Sequence, residues 1–241
     1  MIGNVTWAGT ALSSITANWT NGGVLIEHAP ETNRPRRKAD RYEVPGRNGD
    51  IIVPQDAWEN VARTYDLVVY GGDYDAMAAD LMTWLYAPEG YQRLQDTFDE
   101  AVYRLAYASE DTDIENLMNT DGRCTVTFDC DPRRFLLTGE QSVSFSASGS
   151  ITNPTRFTAK PVITVYGSGA GTIEAGGKTV EISSIYDGMI LDCDRCRAYY
   201  GDSNLNNLVS GSFPELPAGA QTITITGGIT LLEVVPNWWT I

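Results

Sequence analysis

Arg123-Cys-Thr-Val-Thr-Phe-Asp-Cys130 alternates polar and apolar residues without interruption. Successive side chains of a β-strand point to opposite faces, so this run predicts a strand that is buried on one face and wet on the other. The buried face would be formed by the residues of one parity, which are Cys124, Val126, Phe128 and Cys130. We expect Asp131-Pro132 to end the strand, because proline cannot donate a hydrogen bond to the ladder.

The residues before this strand are also rich in β-forming segments, with Gly, Asn and Pro between them. The predicted strands are Val24–Ile26, Tyr42–Val44, Ile51–Val53, Val61–Tyr70, Tyr91–Leu94 and Ala101–Tyr107. The N-terminal part of the chain is therefore predicted to be a β domain.

A single helix is predicted within this domain, over residues 73–87. Asp73 follows two glycines and suits the N-cap, while Pro88 and Gly90 end the helical pattern. Four apolar residues recur at helical spacing and form one face, namely Met77, Leu81, Trp84 and Leu85. We interpret this face as core, covering the sheet formed by the neighbouring strands.

The composition changes near residue 138, where small polar residues begin and no further helix follows. This predicts two domains, 1–137 and 138–241, the second a sandwich of at least six short strands. Gly176-Gly177 and Gly227-Gly228 are each predicted to form a tight hairpin turn. Gly167-Ser-Gly169-Ala-Gly171 is interpreted as a turn and not a phosphate loop, because no helix N-terminus follows it.

The formal charge of −14 excludes some partners. An acidic surface repels phosphate backbones, so we expect no nucleic acid partner. No apolar run reaches the ~20 residues that a membrane span needs. The N-terminal residues lack the pattern of a secretory signal, so we expect the protein to be made in the cytoplasm and to have no membrane partner.

The sequence contains no convincing catalytic or metal constellation. His28 is the only histidine, and no Gly-x-Ser-x-Gly motif is present, which disfavours nucleophilic hydrolysis and a histidine-based metal site. A zinc site made from all four cysteines is an alternative, but the pairs Cys124/Cys130 and Cys193/Cys196 do not have common ligand spacings. We prefer two core thiols and a second pair in or near a turn.

Acid-rich loops leave a glycosidase open as an alternative, since that chemistry needs two carboxylates across a groove. The candidates are Asp96, Asp99 and Glu100, or Asp111, Asp113 and Glu115. Asp111-Thr-Asp113 lacks the glycine and glutamate of a calcium-binding EF-hand loop. On an acidic protein we interpret these loops as solvated, and we expect no enzyme activity and no cofactor.

One short segment is strongly basic and is our candidate subunit interface. It holds five of the 17 basic residues, which are Arg34, Arg36, Arg37, Lys38 and Arg41. A solvated loop is the simpler interpretation, and docking onto an acidic neighbouring subunit is the more specific one.

Two aromatic pairs are candidates for exposed contacts: Tyr199-Tyr200 and Trp238-Trp239. In a strand only one member of each pair can enter the core, so the other needs a second surface. That surface could be the first domain, a neighbouring subunit or a sugar ring. For the tryptophans beside the chain end we favour packing.

Several stretches, in order along nearly the whole chain, resemble the distal tail protein (Dit) family of siphophages that infect Gram-positive bacteria. In the first half they are Val44–Asp50, Trp58–Val61, Gly90–Leu94, Val126–Phe128 and Pro132–Leu136. In the second half they are Asn153-Pro154, Lys160-Pro161, Val165–Gly169, Asp192-Cys193, Asn204–Asn207, Phe213-Pro214, Gly227-Gly228 and Pro236–Trp239. The cysteines and the stretch Tyr107–Asp121 depart from the family pattern.

The resemblance implies a mainly β protein. Its N-terminal domain would be a β-sandwich or split barrel with one α-helix, related to tail-tube subunits, and its C-terminal domain a galectin-like β-sandwich. It also implies a virion protein at the tail tip, in which a ring of six copies joins the tail tube to hub, tail-lysin or receptor-binding proteins. A carbohydrate-binding module or host-surface adhesin is the alternative.

Overall fold

A computed structural model describes residues 3–19, 21–31, 33–71, 73–108, 115–117, 121–186 and 188–241. The chain is mainly β and forms two compact units, Met1–Arg134 with Ile241, and Phe135–Thr240. The sequence places the division near residue 138.

The first unit contains ten strands and two helices among its described residues. The strands are β1 (Val5–Trp7), β2 (Thr10–Ala11), β3 (Gly23–Ile26), β4 (Arg37–Tyr42), β5 (Ile51–Trp58), β6 (Val61–Tyr70), β7 (Gln92–Asp96), β8 (Val102–Ala108), β9 (Glu115–Leu117) and β10 (Asp121–Leu136), of which β10 continues into the second unit. The helices are α1 (Leu12–Ile15) and α2 (Tyr74–Tyr86), and a 3₁₀ turn follows α1 at Thr16–Asn18.

One sheet organises this unit, in the order β2-β1-β7-β8-β10-β6-β3, with β9 also paired to β10. Strand β6, which was predicted as a strand, alternates buried and more exposed residues along its whole length. It pairs antiparallel with β10, where Cys124 lies opposite Leu67 and Cys130 opposite Val61. The buried parity of β10 is the predicted one: Cys124, Val126, Phe128 and Cys130.

Helix α2 covers this core as predicted. The Asp73 side chain accepts a hydrogen bond from the Ala76 N–H, and the apolar face of Met77, Leu81, Trp84 and Leu85 is buried. Two indole N–H groups fix the helix to the N-terminal strands. Trp84 donates to the Thr10 carbonyl at 2.9 Å, and Trp7 donates to the Leu85 carbonyl at 3.2 Å.

Three predictions for this unit are wrong in detail. Strand β10 does not end at Pro132 but continues to Leu136, past the part that pairs with β6. Of the predicted strand Tyr42–Val44, only Tyr42 is in a strand, because β4 begins at Arg37 and ends at Tyr42. The short helix α1 adds a second helix to the one expected.

The second unit is a sandwich whose strands are β11 (Val143–Phe145), β12 (Gly149–Asn153), β13 (Val162–Ala175), β14 (Lys178–Ile185), β15 (Met189–Asp192), β16 (Arg197–Tyr200), β17 (Ser203–Asn204), β18 (Val209–Gly211), β19 (Gly219–Val235) and β20 (Trp239–Thr240). Turns of 3₁₀ helix occur at Leu137–Glu140 and Asn206–Leu208. The inner faces share one core, which includes Ile163, Val165, Ile173, Val180, Ile182, Leu232 and Val234.

The long strands β13 and β19 pair with each other and bend together. The first part of β13 pairs with β15 and its last part with β14. The first part of β19 pairs with β12 and its last part with β11. Each long strand therefore contributes to both layers of the sandwich.

Two glycine-rich segments are placed differently from the prediction. Gly176-Gly177 is the expected hairpin turn, with φ of 60° and 73°. Gly227-Gly228, in contrast, lies inside β19, and Gly167–Gly171 lies inside β13, where the register between the two strands shifts. A Cβ on Gly228 would lie 1.8 Å from the Ser168 carbonyl oxygen, so these glycines permit the close backbone approach of a shared bend and not a turn.

Candidate subunit interface

Strands β4 and β5 form a two-stranded ribbon apart from both larger sheets; we call residues 37–58 the arm. Tyr42 lies opposite Ile51 and Arg41 opposite Ile52 in the antiparallel register. Nearly every residue of both strands is exposed, including Tyr42 at 56%, Ile52 at 61% and Val53 at 45%. Isolated two-stranded ribbons are marginally stable in water, so the arm is a surface that would gain from a partner.

The sequence identified the Ile51–Val53 strand but not its exposure. Pro54, which directly follows this run and lies inside β5, is the signal that could have shown the exposure, because proline in a strand is confined to edges and bulges. Both long sides of a two-stranded ribbon are edges. Within the described residues, only β5 pairs with β4.

The five predicted basic residues lie in or beside the arm, and all are exposed. Arg37, Lys38 and Arg41 are solvated as expected but lie in β4 and not in a loop, while Arg34 and Arg36 precede the strand. The Arg37 guanidinium lies 4.9 Å from the centre of the Trp58 ring, a cation–π contact inside the arm. Among the described residues none of the five makes a salt bridge.

Acidic surface that could meet this charge exists on the same unit. Helix α2 presents Asp75 and Asp80 on its exposed side and contains no basic residue, and its N-cap is Asp73. Asp80 accepts a hydrogen bond from the Trp19 indole at 2.8 Å, which holds its carboxylate at the surface. A second copy would therefore offer charges complementary to the arm.

The candidate aromatic contacts do not form one site. Trp238 is buried in the core of the second unit, and Trp239 stacks on Phe157 with ring centres 4.5 Å apart. The Trp239 indole also donates to the Thr158 carbonyl at 3.0 Å. Tyr199 is half-buried and Tyr200 is 44% exposed, so Tyr200 is the member of these pairs most available to a partner.

A shallow groove of about 400 Å³ lies on the second unit across β13, β14, β18 and β19. Its lining residues are Ala170, Gly171, Thr172, Glu181, Ile182, Ser183, Ser210, Thr226 and Gly227. No aromatic side chain is among them, and the candidate aromatics listed above lie elsewhere. The groove therefore lacks the ring that usually stacks on a sugar.

Two of the three acidic residues first considered for a glycosidase site form ion pairs with arginines. Asp96 contacts Arg63 and Asp99 contacts Arg134, while Glu100 is exposed. Asp111 and Asp113 lie outside the described residues. His28 is exposed, with no partner for acid–base chemistry among the described side chains.

The cysteines are free and are placed much as predicted. Cys124, Cys130 and Cys193 are buried, and Cys196 is exposed in the turn after β15. Burial raises the pKa of Cys124 to about 11 and that of Cys130 to about 12.

Within the described part of the chain, no three His, Cys, Asp or Glu side chains are grouped to hold a metal ion. In the same residues, no helix is long and apolar enough to cross a membrane.

The two units together have the fold of a phage distal tail hub protein. The chain superposes on the crystal structure of SPP1 Dit, described as a paradigm of hub adsorption apparatus in Gram-positive infecting phages. The likeness covers 100% of both chains with a TM-score of 0.66 and 11% sequence identity. No family model matches the sequence, and no curated protein matches it.

Proposed function

We propose that this protein is a distal tail subunit of a siphophage, which assembles as a ring and connects the tail tube to the proteins of the tail tip. The observation that carries the proposal is the full-length likeness to SPP1 Dit. Both units and their order along the chain are matched, so the likeness is not limited to one common β module.

The two units then take the roles that the family resemblance implies. The first, with its sheet and helix α2, corresponds to the ring-forming, tail-tube-like domain, and the second to a galectin-like sandwich. Copies of the chain would repeat one heterologous contact, and a rotation that closes after six copies would give a hexamer.

The arm is the contact element that we assign to this ring. It presents exposed apolar residues together with Arg37, Lys38 and Arg41, with Arg34 and Arg36 beside it, and α2 of another copy presents carboxylates. Docking would bury the apolar residues and pair the charges, which fixes register as well as affinity. Because a ring subunit acts through geometry, this function needs neither a catalytic group nor a cofactor.

The remaining partners are the tail-tube protein on one side and hub, tail-lysin or receptor-binding proteins on the other, in the virion. The groove on the second unit has no aromatic residue in its lining and so does not favour a carbohydrate-binding module or adhesin. Glycan-array binding that is lost in Tyr200→Ala would revive that alternative.

Light scattering coupled to size-exclusion chromatography tests the ring. The chain has a mass of 26.4 kDa, so a hexamer would have a mass of about 160 kDa, expected at high concentration or with a tail-tube or tip protein present. A monomer under all of these conditions would contradict the proposal.

A further inference from the structure

A groove of about 410 Å³ lies on the first unit, where helix α2 meets α1 and the strands β1 and β2. Its lining residues are Trp7, Ala8, Thr10, Ile15, Asp80, Thr83, Trp84, Ala87 and Pro88. No sequence motif predicts this groove, and the roles given above to α2 and the N-terminal strands do not use it.

The apolar part of the groove is firmly held. Trp7 and Trp84 are buried, and both indole N–H groups are hydrogen-bonded to backbone carbonyls. Ala8, Ile15 and Pro88 are half-buried and so keep apolar surface that a partner could still cover. A groove that is already formed loses little free energy to rearrangement when it accepts a partner.

The charged residue of this lining is an aspartate. Asp80 is exposed, and its Oδ2 atom accepts the hydrogen bond from the Trp19 indole at 2.8 Å. Its Oδ1 atom has no such bond from any described residue, and no basic residue is among those that line the groove. The groove therefore suits a partner that places an apolar side chain beside a cation.

One face of the arm has this combination. In the antiparallel register Arg41 lies opposite Ile52, and Ala39 lies opposite Pro54. Alternate pairs of a ribbon share a face, so these four side chains form one face, which we call the arginine face. Ile52 is 61% exposed, and Arg41 is in no salt bridge of the described part of the chain.

The opposite face of the arm is less suited to the groove. It consists of Asp40, Tyr42, Ile51 and Val53. The Asp40 carboxylate accepts a hydrogen bond from the Gln55 amide at 2.8 Å and stays on this face. Docking by this face would bring Asp40 towards Asp80, and like charges that meet in an interface are repelled.

We propose that the arginine face of one copy docks in this groove of a second copy, with Ile52 on the apolar lining and Arg41 paired with Asp80. The proposal rests on the ring assembly proposed above, and it specifies which face of the arm docks and which surface receives it. Each copy has one arm and one groove at different places, so the contact is heterologous, as a ring requires.

Charge reversal tests the pairing, with sedimentation velocity of the full chain at a series of concentrations. Arg41→Glu and Asp80→Arg should each weaken association by about tenfold or more, because like charges then face each other. The double variant should regain most of the lost affinity. Asp75→Arg is the matched control: it changes the net charge as Asp80→Arg does but lies outside the groove, and it should associate like the wild type.

Disulfide trapping tests which face docks, and it also detects weak association. In chains that carry Cys196→Ser, which removes the exposed native thiol, Ile52→Cys is mixed with mass-tagged Ala87→Cys and oxidised with glutathione disulfide. The mixed dimer should form several times faster than with Val53→Cys, which is on the opposite face.

The results separate this contact from the ring itself. A wild type that assembles, with unchanged association in Arg41→Glu, would overturn the docking but leave the ring standing, as would equal trapping rates for Ile52→Cys and Val53→Cys. Arg41 and Ile52 are exposed, so their variants should fold even if Asp80→Arg does not. A wild type without association or trapping, alone or with tail-tube protein, would contradict both.

Discussion

Ile52→Ser is the substitution that isolates the contribution of the arm to assembly. Ile52 is 61% exposed in the isolated chain, so most of its side chain is still available for burial. Complete burial of an isoleucine contributes about 1.5–3 kcal/mol, and the exposed part would therefore contribute about 1–2 kcal/mol at each contact between copies. This corresponds to roughly 5- to 30-fold weaker association. The stability of the monomer should change by less than about 0.5 kcal/mol, since Ile52 packs on little of its own chain.

Sedimentation velocity over a range of concentrations measures the association, and urea unfolding of dilute protein measures the stability of the monomer. Val143→Ser is a suitable control, because Val143 is also an exposed strand residue, at 38%, but lies on β11 in the second unit. Equal association constants for Ile52→Ser and Val143→Ser would refute the assignment of the arm. A large loss of monomer stability in Ile52→Ser would show instead that the arm packs within its own chain.

Three further predictions concern charge, thiols and the bend of the sandwich. Asp96→Asn should cost about 3–5 kcal/mol at pH 7 because it leaves Arg63 buried without a counter-charge. Since the folded-state pKa of Asp96 is lowered, its contribution is present above its ordinary pKa and is lost as the pH falls, so unfolding curves of Asp96→Asn should depend less on acid pH than those of the wild type. A thiol reagent at pH 8 should modify one cysteine rapidly, Cys196, and a count of two or more fast thiols would contradict the burial of the others. Gly228→Ala should destabilise the chain by more than about 2 kcal/mol, because the new Cβ meets the Ser168 carbonyl, and an unchanged urea midpoint would show that the bend relaxes.

Local patterns predicted the elements that have one buried face. The alternation of Cys124–Cys130 reports burial directly, the β-forming residues of Val61–Tyr70 identify that strand, and the four-residue apolar face identifies α2. Strands that depart from alternation were harder. β10 continues through Pro132, and the bend of β19 at Gly227-Gly228 looks like a hairpin turn, because glycine pairs permit both conformations.

The candidate interface was only half visible in the sequence. The basic residues of the arm are conspicuous on an acidic chain, but Ile51–Val53 has the composition of a buried strand, and its exposure depends on which strands it pairs with. The buried ion pair of Arg63 with Asp96 was not predicted at all. The two residues are far apart in sequence, and only the sheet that contains both β6 and β7 brings them together.

Electron cryomicroscopy of virions that encode this chain tests the central claim most directly. The account predicts a ring of identical subunits at the junction between the tail tube and the tail tip, with density into which both units of the chain fit and with the arm of each copy on its neighbour. Intact virions whose tail tip contains no copy of this chain would contradict it.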